Sequence, residues 1–191
     1  MAKNKGLIIG ISGDRGSFCE EAAQFYRGKH NLNGCELRYL ITVDDVLSEL
    51  TKGTIDKGIF PIENSNGGVV IEAIHGMAKY VFTVDEFFDI DVRHNLLVIP
   101  GTKKEDIGLI TSHDQALKQC RMYLKRNWPN VHLEEYADTA KAAKDLGKGK
   151  LPPSTAVIAP RSCAELYGLE ILEEGIQDLK FNFTTFLTVT K

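Results

Sequence analysis

Four short stretches set polar side chains capable of chemistry directly behind apolar runs. The first is Gly13-Asp14-Arg15-Gly16-Ser17-Phe18, whose glycines expose backbone N–H groups ahead of a helix, an arrangement that suits a carboxylate. Its glycines are three apart and no Gly-Lys-Ser/Thr follows, so it is neither a Walker loop nor a dinucleotide fingerprint. The second, Pro61-Ile62-Glu63-Asn64-Ser65, presents an acid, an amide and a hydroxyl before Gly67-Gly68 lets the chain turn. In the third, Ser112-His113-Asp114-Gln115, Ser112 could cap a helix while His113 and Gln115 reach a ligand. Its His-Asp pair has no matching nucleophile and makes no triad. The fourth is the tail Asn182-Phe183-Thr184-Thr185-Phe186. One hydroxyl there could carry chemistry, or both threonines could be ordinary strand residues. Read as pattern alone, each stretch also has a plain use as a turn, a cap or a strand.

The elements that must hold these groups follow from periodicity. Leu7–Ile11 reads as a strand, then a glycine turn, then a helix that Ser17 and Glu20 open with capping-box spacing. Leu37–Ile41 is a second strand, residues 43–53 a helix closed by Gly53, and residues 57–65 a third strand. Residues 67–79 read as a continuing helix. This alternation predicts an α/β unit with a mainly parallel sheet. Residues 81–101 are β-rich and could hold long crossover strands. Residues 108–127 read as strand, turn and one amphipathic helix carrying Ala116, Leu117, Cys120 and Leu124. Val131–Tyr136, a helix Thr139–Leu146, a strand at residues 156–160, a helix stopped at Gly168 and the final strand complete the chain. The strand ends are where open α/β sheets bind ligands, and two lobes would leave a cleft for a small molecule.

Composition narrows the function classes. A chain of 191 residues suits one domain or two small lobes, and 43% hydrophobic residues can bury a core. A net charge of −3 gives no basic footprint for nucleic acid or an anionic membrane. An anionic small molecule would therefore be held by local donors. Cys19, Cys35, Cys120 and Cys163 show no paired spacing and read as reduced thiols in a cytoplasmic protein. The five histidines make no metal motif. The apolar run Leu7–Ile11 is too short to span a bilayer.

Taken together and in order, the four stretches resemble the catalytic domain of the prephenate dehydratase family. That family has a Gly-Pro-x-Gly-Ser/Thr turn where Gly13–Cys19 stands. Its Pro-Ile-Glu-Asn-Ser is intact at Pro61–Ser65, and its Ser-His-Pro-Gln…Gln-Cys appears as Ser112–Cys120. An Asp-Thr-Ala-x-Ala-Ala segment matches Asp138–Ala143, and the family's ending matches Ala164–Phe186. Aspartates replace proline at Asp14 and Asp114, and Thr185 stands where arginine is usual.

The resemblance implies an α/β fold of two lobes with periplasmic-binding-protein-like (type II) topology and an interlobe active-site cleft. Lobe 1 would cover about residues 1–80 and 165–191, lobe 2 about 81–164. The implied reaction converts prephenate to phenylpyruvate, carbon dioxide and water, in phenylalanine biosynthesis, with no metal or organic cofactor. Thr184 carries over as the essential hydroxyl, with Asn64 and Gln115 orienting substrate. Glu63, Ser65, Ser17, Ser112 and Arg15 carry over as substrate-binding residues, with Arg15 able to compensate for the arginine absent at Thr185. A cytoplasmic homodimer is implied, and no regulatory ACT domain is expected. Arogenate dehydration and a non-catalytic module binding an aromatic acid or amino acid stay open. Retention of Thr184 argues against simple decarboxylation, which needs no donor at the hydroxyl.

Overall fold

In the first half of the chain, short apolar runs end on capping residues, and the elements they define are β1 (Ile8–Ile11), α1 (Phe18–Lys29), β2 (Glu36–Tyr39), α2 (Val43–Lys52) and β3 (Lys57–Asn64). These are followed by β4 (Gly68–Val69), α3 (Ile71–Met77) and β5 (Thr83–Asp91). The computed structural model describes residues 6–191. The chain divides into two units, one ending at Asp91 and completed by Phe183–Lys191, the other Val92–Asn182.

The sheet of the first unit has the order β2-β1-β3-β11-β5, with β4 paired to β3 and β11 (Phe183–Thr190) being the last strand of the chain. The β2–β1 and β1–β3 pairings are parallel, whereas β11 runs antiparallel to both its neighbours, β3 and β5. The expected mainly parallel sheet is therefore mixed, because β11 arrives from the second unit and not through a crossover helix. Residues 68–69, expected as helix, extend β3 in a tight hairpin, and α3 starts only at Ile71.

Each face of this sheet is covered by its own helices. Ala22, Ala23 and Tyr26 of α1 pack on Ile9, Ile11, Ile59, Phe88, Ile90 and Phe186. On the other face, Val43, Val46, Leu47 and Leu50 of α2 pack with Phe60, Leu187 and Val189. Ser17 caps α1 by accepting the Glu20 N–H at 3.3 Å, while Arg27 and Lys29 sit in the last turn, where cations favour the helix dipole. Gly53, at φ 74°, ends α2 in the left-handed conformation that glycine adopts without steric cost.

The second unit carries β6 (Asn95–Val98), β7 (Leu109–Ser112), α4 (Asp114–Gln119), α5 (Arg121–Asn127), β8 (His132–Glu135), α6 (Thr139–Gly147), β9 (Thr155–Ala159), α7 (Ser162–Tyr167) and β10 (Glu170–Glu173). Its sheet order is β10-β6-β9-β7-β8. The Glu-Ile-Leu-Glu of β10 has no clear alternation, and pairing with β6 makes it a strand. The single helix expected over residues 113–127 is broken at Cys120. There the Asp178 carboxylate accepts the Met122 and Tyr123 N–H groups at 2.8 and 2.7 Å, and Asp178 N–H donates to Gln119 O. A tertiary cap has thus started a second helix inside one amphipathic pattern.

Both crossings between units fall later in the chain than residues 80 and 164. Strand β5 pairs with β11 along its whole length, which keeps it in the first unit. Strand β10, together with Ile176 N–H on His94 O, stays with the second. None of the four cysteines is joined in a disulfide, and Cys35, Cys120 and Cys163 are buried. No helix among the described residues is long and apolar enough to cross a membrane.

Candidate active site

The first unit gathers three of the four stretches at one end of its sheet. Gly13–Ser17 follows the C-terminal end of β1, Asn64 ends β3, and Thr184 lies near the start of antiparallel β11. Asn64 and Thr184 are directly opposite each other in the β3–β11 ladder, so they share a face. Thr184, 8% exposed, lies on the face covered by α1, because its partner across β5 is Ile90 and Phe186 follows on the same side. The register slips between Thr185 and Phe186, leaving Ile62 as the extra residue on β3 beside Pro61. Proline has no N–H to give a ladder, and a bulge accommodates it.

The polarity of the Asn64–Thr184 contact is fixed by the surrounding backbone. Asn64 Oδ1 accepts the N–H groups of Asn66 and Gly67 at 3.0 and 2.7 Å. That leaves Nδ2 to donate, and it does so to Thr184 Oγ1 at 2.8 Å and to Phe183 O at 3.3 Å. Thr184 oxygen is consequently an acceptor, and its own hydrogen remains to be donated. Ser65 secures the start of β11: its N–H donates to Phe183 O at 2.8 Å and its Oγ accepts Phe183 N–H at 3.0 Å. Ser65 thus holds the strand that carries Thr184.

The glycine turn differs from a cradle for a ligand carboxylate, because the protein's own carboxylates occupy it. Arg15 N–H donates to Asp14 Oδ1 at 2.7 Å, Gly16 N–H to Glu20 Oε2 at 2.7 Å, and Ser17 N–H to Asp14 O at 3.2 Å. The capping box is accordingly shifted by one residue, with Glu20 reaching Gly16 and not Ser17. Glu20 Oε1 also accepts from Tyr39 OH. Loss of hydration, then that hydrogen bond and the Glu20 charge, push the Tyr39 phenol up to about 12. The Arg15 guanidinium lies 5.5 Å from the centre of the Tyr39 ring. Tyr39 is on β2, three strands from β11, or about 14 Å at ordinary strand spacing. Arg15 thus sits beside Tyr39 of β2. Ser17, 7% exposed, accepts from Glu20 N–H and keeps its hydroxyl hydrogen.

Glu63 pairs across the ladder with Thr185, so strand alternation turns it to the face opposite Thr184. Thr185 itself donates to Asp89 Oδ1 at 2.7 Å. An arginine in its place would meet Asp89 and not a ligand of Thr184. Thr185→Arg is thus expected to leave the Michaelis constant within about twofold, since its new partner is the exposed Asp89 carboxylate. Initial-rate kinetics check this, and a severalfold drop in that constant would make position 185 a substrate contact.

In the second unit, Ser112 is fully buried and donates to Ile158 O at 2.6 Å, locking β7 to β9. It does not cap α4; the cap is His113, whose Nδ1 accepts Gln115 N–H at 3.2 Å. Gln115 is half-buried in the first turn of α4. Reading the residues in isolation missed a buried network beside the crossings. Gln119 Oε1 takes Asn182 Nδ2 at 2.9 Å and His94 Nε2 at 2.8 Å, and His94 N–H donates to Gln177 Oε1 at 3.1 Å. Burial holds the His94 imidazole below its ordinary value, opposed by its bond to Gln119. The Gln119-Cys120 and Gln177-Asp178 pairs were visible in sequence only as parts of longer motifs. Nothing local marked them as partners.

A buried hydroxyl, backed by an oriented amide at the strand ends of an α/β sheet, is a directed hydrogen-bond donor where sheets of this class bind ligands. The chain belongs to the prephenate dehydratase family, whose family model matches residues 9–191. The bifunctional chorismate mutase/prephenate dehydratase of Stutzerimonas stutzeri is 32% identical over 189 residues, covering 99% of this chain and 50% of that protein. Arogenate dehydratase 1 of Petunia hybrida is 33% identical, covering 97% of this chain and 42% of its own length. The structure of prephenate dehydratase from Arthrobacter aurescens in complex with L-Phe superposes with a TM-score of 0.88 at 26% identity, over 97% of this chain and 60% of that one. This likeness carries the type II periplasmic-binding-protein-like fold. The chain spans about half the length of the first curated relatives it matches.

Proposed function

We propose that the protein is a prephenate dehydratase in which the Thr184 hydroxyl donates to the oxygen that leaves the ring. The observation that carries this reading is the polarity of the Asn64–Thr184 bond. Two backbone N–H groups fix the amide, the amide fixes the threonine oxygen as acceptor, and the O–H is left to the substrate. As the carbon–oxygen bond lengthens, charge grows on the departing oxygen, and a fixed donor gains strength where charge develops. Loss of the ring carboxylate as carbon dioxide returns an electron pair to the ring. Aromatisation drives the step, so positioning and one proton are what the protein must add.

In this reading Ser17 and Gln115 contribute to substrate binding, and Ser65 keeps β11 in place. Glu63 turns to the other face and the Ser112 hydroxyl is spent on Ile158 O, so neither is assigned to the substrate, whereas Arg15 stays a candidate for a substrate carboxylate. The substrate is a small dianion, and the protein acts as a cytoplasmic homodimer without nucleic-acid or membrane partners.

The relative from Petunia hybrida supports a second reading, arogenate dehydration. Arogenate loses the same hydroxyl and carboxylate and differs only in bearing an amine in place of the keto group. Purified protein assayed with each substrate tests both, following phenylpyruvate by its enolate absorbance in base and phenylalanine by chromatography. Turnover of prephenate is expected. Absence of turnover with both, alongside saturable binding of phenylpyruvate, would replace the enzyme by a binding module.

A further inference from the structure

Three contacts fix how α1 lies along β5. Lys29 and His30 both pair with Glu86, the latter at 2.7 Å. One turn back, Phe25 stacks on Phe88 with ring centres 5.8 Å apart. Four residues of helix rise about 6 Å and two residues of strand about 6.6 Å, so the two elements stay in step. The next pair in this register is Glu21 with Ile90, and Ile90 is the cross-strand partner of Thr184. Electrostatics agree with that placement. Partial loss of hydration, then the charge of Asp91 beside Ile90, hold the Glu21 carboxyl above its ordinary value of 4.5. Asp91 of β5 is the charged group acting on it among the described residues, while β11 and β3 bring the uncharged Thr184 and Asn64 to the same face. Glu21 is itself exposed to solvent.

We propose that Glu21 supplies the proton of the dehydration through the Thr184 hydroxyl. Thr184 oxygen has two acceptor positions, one filled by Asn64 Nδ2. The second receives the Glu21 proton while the threonine passes its own hydrogen to the leaving oxygen. The carbon–oxygen bond breaks to give water. The carbon–carboxylate bond breaks to give carbon dioxide, and its electron pair completes the aromatic ring. Glu21, left as a carboxylate, is reprotonated from solvent. One proton enters and prephenate leaves as phenylpyruvate, carbon dioxide and water.

The inference rests on the dehydratase reading, and the test separates the two. Glu21→Gln keeps size and hydrogen bonding but has no proton to give. It is expected to lower kcat about a hundredfold, the lower range for a lost general acid, with KM within about twofold. In the parent protein kcat should fall as pH rises through the Glu21 titration. That limb should vanish in Glu21→Gln, and Glu21→Asp should recover part of the rate. Wild-type turnover with Glu21→Gln keeping more than half of kcat would overturn this role alone. A protein inactive on both substrates would overturn it together with the dehydratase reading. A readout independent of turnover is the carboxyl titration of Glu21 by NMR. It should lie above the ordinary glutamate range and fall in Asp91→Asn. An ordinary titration in both proteins would overturn the placement.

Discussion

Thr184→Ala is expected to lower kcat for prephenate by about 100- to 1000-fold, the effect of removing one preorganised donor at developing negative charge. The change should fall on kcat and not on KM, because the donor strengthens in the transition state more than in the bound substrate. The fold should survive. Thr184 is a small side chain on a strand, and the Asn64 amide keeps its second acceptor, Phe183 O. Thr184→Ser restores the hydroxyl and should recover much of the rate, whereas Thr184→Val keeps the shape and should not. Initial-rate kinetics with circular dichroism and a melting curve on each variant give the answer. Near wild-type activity in Thr184→Ala would remove the hydroxyl from the mechanism.

The second large effect comes from changing one atom of the partner. Asn64→Asp keeps an oxygen for the N–H groups of Asn66 and Gly67, so the turn after β3 should persist. Its other oxygen, standing where Nδ2 was, can only accept. Thr184 must then donate to the new carboxylate, and its hydrogen is no longer available to the substrate. We expect kcat to fall about a hundredfold or more with Tm changed by only a few degrees, allowing for a carboxylate oxygen now facing Phe183 O. This separates an amide that orients the hydroxyl from one that merely binds substrate, which would raise KM instead. Steady-state kinetics distinguish the two outcomes.

Much of this is legible in the sequence. Ser17 and Glu20 announced the start of α1, Gly53 and Gly168 ended α2 and α7 in left-handed caps, and Thr184 stood in a recognisable tail. These signals are local, and local chemistry decides caps, turns and alternation. The break of one amphipathic pattern at Cys120 was not legible, because its cause is the Asp178 carboxylate, 56 residues from Met122. Nor was the partner of Ser112, which looks like any helix-capping serine until Ile158 is found across the sheet.

What the sequence determined by itself was the family, the strand–helix alternation and the pair of threonines. What only tertiary structure decided was which of their neighbours act together. Register across β3, β11 and β5 puts Asn64 with Thr184 on the α1 face and sends Glu63 and Thr185 to the other, where Thr185 meets Asp89. The glycine turn, promising as a carboxylate cradle, is filled by Asp14 and Glu20. The physical reason is the same in each case. A residue type fixes what a group can donate or accept, whereas the pairing of distant strands fixes the face it shows and the partner that claims it.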